Sequence, residues 1–179
     1  MSLIYRLFDL LTGVMFTISG TLLIAMMLST LVDIISRLLF GLTEGGVDFT
    51  FIGGVELIKY GLLLSILFVL PRALRHSQVV VDLFTDRLPL RIRHIMEGIY
   101  LLGYMLLGAG MSYRFWLAAG HAQQNGETTQ DLLLPMSWLY FICSFATAVL
   151  AVAAVLAAWR LLSGAETEAE DETGPEVAL

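Results

Sequence analysis

The chain has 179 residues, 58% of them hydrophobic, with a mean hydropathy of +0.81 and a formal net charge of -6. That apolar excess is more than one soluble core of this size hides, which excludes a water-soluble catalytic domain and leaves a lipid-embedded protein. The acidity is local, because six of the sixteen acids (Glu166, Glu168, Glu170, Asp171, Glu172 and Glu176) fall in the last fourteen residues.

Four apolar runs follow one another: Leu10–Val32, Phe51–Leu70, Ile95–Ala119 and Met136–Leu162. At about 1.5 Å per residue each is long enough to cross a hydrocarbon core of about 30 Å. Backbone N–H and C=O groups in lipid need internal partners, so the runs are expected to be helices. The expected fold is an all-α membrane protein: four transmembrane helices in a domain over 1–163, with an interfacial amphipathic helix between spans two and three. The first run is longer than a signal core and lacks a small-residue cleavage site, so it is expected to remain as a span. Residues 164–179, acidic and carrying Gly174 and Pro175, are expected to form a disordered cytoplasmic tail.

Span one closes on Asp33 and Arg37, four apart with the acid first, a pair suited to anchoring a helix end. A polar, glycine-containing loop follows at 41–48. Span two opens with Glu56 and Lys59, three apart on neighbouring rows of one face, where an ion pair is expected; burying either charge in hydrocarbon is costly. Two readings stay open. One makes them pathway residues for an ion or substrate. The other makes them a structural pair near the outer end, gripping a partner helix or reaching the headgroups. The second is favoured, since both lie within two turns of the span end and no facing carboxylate lies near the middle of another span.

The connection after span two places Val80, Leu83 and Phe84 on one helical face, with Asp82 and Asp86 elsewhere. It reads as an interfacial arm over about 79–88, or as a plain loop with an apolar bias. Pro89 ends it. Span three carries Gly103 and Gly110 on one face, and the loop at 120–131 is too short to be a binding domain. Pro135 stands where a helix tolerates a missing N–H and is expected to open span four. There Thr147, Ala151, Ala154 and Ala158 form a small-residue stripe that admits a second helix, unless it only reflects an alanine-rich composition. The lone Cys143 is expected to be a packing residue.

Arginines give an orientation. Arg6, Arg72, Arg75, Arg87, Arg91, Arg93 and Arg160 lie on one side of the four spans, with only Arg37 and Arg114 on the other. Both termini are therefore expected to be cytoplasmic. No catalytic residue, metal ligand or cofactor site is expected: His76, His94 and His121 fall in loops or at span edges, and no phosphate-binding glycine loop or nucleophile–base pair appears. Membrane lipid is an expected partner and nucleic acid is not. By elimination the chain reads as an accessory subunit whose partner supplies a pathway. The alternatives are a self-contained four-span proton-coupled exporter using Glu56, and the membrane anchor of a respiratory dehydrogenase.

The stretch Val55–Asp82, VELIKYGLLLSILFVLPRALRHSQVVVD, resembles the small membrane subunit (DctQ type) of tripartite ATP-independent periplasmic, or TRAP, transporters. Glu56, Lys59, Ala73, Arg75, Val81, Asp82, Leu88 and Pro89 occupy the places of that family's pattern. GETTQDLLLPMSWLY is similar to the family's approach to span four, with Pro135, Trp138 and Tyr140. Gln78 stands where the family often has histidine, and Pro71 interrupts the usual end of span two. The resemblance implies a bacterial inner-membrane protein paired with a large many-span subunit, which holds the Na+ and substrate sites, and with a periplasmic substrate-binding protein. It implies secondary active import of small organic acids or related solutes, driven by an ion gradient. In that elevator mechanism the small subunit enlarges a fixed scaffold, and its structural or partner-binding residues would be Glu56, Lys59, Asp33, Arg37, Arg75, Asp82, Leu83, Phe84, Pro135 and Trp138.

Overall fold

The computed structural model describes residues 2–42, 53–76 and 90–162. Four helices account for nearly all of them: α1 (Ser2–Leu42), α2 (Gly54–His76), α3 (Leu90–Asn125) and α4 (Met136–Leu162). Each is long and apolar enough to cross a membrane, so the fold is the expected all-helical one with four candidate spans. The expected interfacial arm, with Asp82, Leu83 and Phe84, lies outside the described residues, as does the acidic tail.

Three of the helices extend beyond their apolar runs, and α4 coincides with its own. α1 continues past Val32 to Leu42, and Asp33 and Arg37 bond along it, Arg37 Nε donating to Asp33 Oδ2 at 3.0 Å. α2 continues through Pro71 to His76. Proline removes one intrahelical N–H, a loss that packed membrane helices tolerate, and Pro71 is fully buried among its neighbours.

The helices stand in a row, α1 beside α2, α2 beside α4 and α4 beside α3. Of each apolar window, 33% of α2 and 44% of α4 is buried, against 11% for α1 and for α3. The inner helices therefore contribute most of the core, through Leu67, Cys143, Ala146 and Leu150, with Leu101 of α3 and Met15 of α1 completing it. Both edge helices show most of their apolar surface to whatever surrounds the protein.

Two hairpins compose the row, and serines clasp each one at mid-height. Ser19 Oγ donates to Ser65 O at 2.8 Å, and Ser65 Oγ returns the bond to Ser19 O at 2.8 Å. Ser112 and Ser144 do the same between α3 and α4, at 3.0 and 2.9 Å. Such an exchange satisfies hydroxyls in an apolar setting and fixes the register of two helices.

Close approach within a hairpin follows from small residues. A Cβ on Gly108 would lie 2.9 Å from Ala151 N and 3.0 Å from Thr147 O, so α3 reaches the backbone of α4 there. The stripe on α4 is thus an interface, and its second helix is α3 of the same chain. Gly103 and Gly110 face open space.

Candidate functional site

The most organised polar cluster among the described residues lies where the α3–α4 loop folds over the first turn of α2. α3 ends in a Schellman turn: Gly126 adopts φ +65° and the Glu127 N–H bonds the Ala122 carbonyl at 3.0 Å. The loop then closes on itself. Thr129 N–H bonds Leu134 O at 2.9 Å, and Leu134 N–H bonds Thr129 Oγ1 at 3.1 Å. Met136 N–H reaches back to Glu127 O at 3.0 Å. Pro135 sits immediately before α4, its carbonyl accepting the Trp138 N–H at 3.2 Å.

This geometry turns three consecutive N–H groups toward α2. Gln130 N and Asp131 N donate to Glu56 Oε1 at 2.6 and 3.1 Å, and Leu132 N donates to Glu56 Oε2 at 3.0 Å. Successive N–H groups of this kind form a concave anion site, and here the protein's own carboxylate fills it. Charge-assisted bonds are the strong class of hydrogen bond, and Glu56 also gains from its place in the first turn of α2, at the positive end of the helix dipole. Gly53 completes the fit. Its φ of +110° suits glycine, and a Cβ there would lie 2.8 Å from Leu132 Cδ2.

The expected Glu56–Lys59 ion pair does not form. The carboxylate is saturated by loop donors, and Lys59 is exposed, with Nζ 5.2 Å from the Tyr60 ring centroid. Asp33 and Arg37 do pair, at the far end of α1. Arg75 lies in the last turn of α2. Trp138 is exposed on the first turn of α4. It lines a groove of about 320 Å³ between α1, α2 and α4, with Leu22, Leu57, Leu64, Leu132 and Leu139 among its walls. Apart from Glu56, Thr129 and Tyr60 these walls are apolar, so the groove offers little to recognise a polar solute.

Among the described residues, then, Glu56, Pro135 and Trp138 come together at one end of the row; Asp33 and Arg37 pair with each other on α1 at that same end, outside the cluster, and Arg75 lies at the other end. Sequence reasoning assigned no role to the four clasping serines, to Gly108 or to the loop amides. A glycine or serine in an apolar run carries no signal of its partner, and backbone N–H groups carry none at all. At the opposite end, aromatic rings meet arginines: Arg160 Cζ lies 4.4 Å from the Tyr5 ring centroid and Arg72 Cζ 4.9 Å from that of Phe16. The Tyr5–Arg160 contact ties α1 to α4 as the Glu56 clamp ties α2 to the α3–α4 loop.

Among the described residues, no group of three or more histidine, cysteine or acidic side chains gathers as a metal site. The sequence model of the tripartite ATP-independent periplasmic transporters, DctQ component, matches residues 26–164. Comparison with curated proteins and with solved structures found no match.

Proposed function

Since the chain belongs to the DctQ component family of tripartite ATP-independent periplasmic transporters, we propose that it braces the large transport subunit as a fixed scaffold. It is a multi-pass membrane protein and a component of a transporter rather than a member of an enzyme family. Its family works with a large TRAP subunit and a periplasmic binding protein. In the proposed reading both termini are cytoplasmic in a bacterial inner membrane, and the Glu56 end faces the periplasm. The large subunit holds Na+ and substrate, a small organic acid or related solute, and moves cargo by an elevator motion against this scaffold.

The Glu56 clamp is the observation that carries the reading. A carboxylate wrapped by three loop amides joins two hairpins into one body, which suits a support. It is ill placed to bind and release a proton or cargo in each transport cycle. Lys59 and Trp138, exposed near the same end, are proposed partner-facing residues, and Asp33–Arg37 a helix-end anchor. The arm at 79–88 is proposed to seat the scaffold at the cytoplasmic surface, with the tail at 164–179 as a solvated end.

Reconstitution tests this directly. Proteoliposomes with the large subunit, the binding protein and this chain are expected to take up solute on a sodium gradient, and the chain alone to move nothing. Proton-driven flux through the chain alone would establish the exporter instead. Within the complex, Leu83→Ser with Phe84→Ser is expected to weaken membrane seating or assembly; unchanged assembly and uptake would remove the arm's bracing role.

A further inference from the structure

Arginines are common where a chain leaves a membrane, so what distinguishes one is how it is held. Among the described residues Arg37 is paired with Asp33, and Arg160 lies on the Tyr5 ring and has a further partner. Arg6 and Arg114 stand exposed, with neither a ring nor an ion-pair partner against them. Arg72 differs from all four. Its guanidinium is laid back from α2 onto α1, with Cζ 4.9 Å from the Phe16 ring centroid and Nη1 3.4 Å from where a Cβ on Gly13 would stand. The ring attracts the cation, and the bare backbone at Gly13 gives one end of it room.

This seat has no acceptor. Arg72 is exposed, and no carboxylate among the described residues pairs with it, Asp9 one turn before Gly13 included. A guanidinium carries five N–H donors, and a stacked one has already lost most of the freedom that binding an anion would remove. Arg72 is therefore one half of an anion contact, formed in advance.

Depth decides which anion. Arg72 stands just past the apolar run that ends at Leu70, and Gly13 lies three residues, about 5 Å, inside the run that begins at Leu10. The guanidinium is thus placed where acyl chains give way to headgroups, and lipid phosphate is the abundant anion at that level. A planar guanidinium suits it, since two parallel N–H···O bonds can form to one phosphate. Arg6, seven residues before Gly13 and so on the same helical face, adds positive charge toward the water, which favours a headgroup of net negative charge.

We propose that Arg72, seated on Phe16 and Gly13, binds the phosphate of an anionic phospholipid in the leaflet opposite the Glu56 end. The site is separate from the groove at Trp138, and it holds whether or not the chain acts as a scaffold. Native mass spectrometry of the full chain, released from nanodiscs of phosphatidylcholine with a minor share of phosphatidylglycerol, is expected to show one retained phosphatidylglycerol. Arg72→Ala is expected to lower that retention by about tenfold, and Arg72→Lys by less, because an ammonium keeps the charge but not the paired bonds. Phe16→Leu is expected to lower it with every charge in place, and Arg114→Ala to leave it unchanged. The two conservative variants carry the test should Arg72→Ala fail to fold. Undiminished retention in Arg72→Ala or in both conservative variants, or an equal loss in Arg114→Ala, overturns the site, as does an adduct with the mass of free phosphate alone. A lipid held by the chain alone but absent from its complex with the large subunit would give Arg72 a protein acceptor and overturn the site too.

Discussion

The α1–α2 and α3–α4 hairpins share a device at mid-height, two serines exchanging hydroxyl–carbonyl bonds, yet they are packed differently a turn or so away. In α3–α4 the closest glycine, Gly108, abuts backbone atoms of Ala151 and Thr147; in α1–α2 the corresponding glycine, Gly61, abuts the side chain of Met26, whose Sδ would lie 2.7 Å from an added Cβ. Backbone cannot move without moving a helix, whereas a thioether swings aside. The second hairpin is therefore locked by shape, and the first is latched by its serines.

The largest expected effect concerns the bond between the hairpins. Glu56→Ala leaves the N–H groups of Gln130, Asp131 and Leu132 without their acceptor, and is expected to lower both the thermal midpoint and recovery of the complex. Glu56→Gln is expected to do less harm but still some, because its amide nitrogen meets a donor where Oε2 now accepts. Sodium dependence of uptake is expected to be unchanged in whatever complex remains. A variant that assembles normally yet loses its sodium requirement would return Glu56 to the transport pathway.

Next in size is the contrast of glycines. Gly108→Ala is expected to cost about 1–3 kcal/mol by overpacking against backbone. Gly61→Ala is expected to be close to neutral, since Met26 can move and alanine favours the helix. Equal losses in a detergent unfolding series would mean that the hairpins do not differ as their contacts indicate.

The smallest effects belong to the clasps. Replacing one serine of a pair by alanine is expected to cost about 1 kcal/mol or less, as interhelical hydrogen bonds in membranes do. Ser19→Ala or Ser65→Ala is expected to exceed Ser112→Ala or Ser144→Ala, because the first pair is wholly buried and the second only partly. Midpoints that rank the other way would assign register control to the α3–α4 pair.

Four spans, the helix boundary at Pro135 and the Asp33–Arg37 pair were legible in the residues themselves. Each depends on neighbours within a turn or on hydropathy summed along one segment, and both are local quantities. The family was legible too, through the order of short motifs around Glu56 and Pro135. Misjudged was the partner of Glu56. Lys59 is the obvious choice by spacing, but a loop some 75 residues away arrives with three donors, and no rule of spacing registers amides that carry no side-chain signature.

Composition and periodicity by themselves determined that this chain lives in lipid as four helices, because satisfying the backbone in hydrocarbon leaves no other local solution. Only the tertiary structure decided which helices stand inside the row, which stand at its edges and which carboxylate is enclosed. Those outcomes depend on which elements meet and at what height, and that is settled by serine register and glycine approach between segments far apart in the chain.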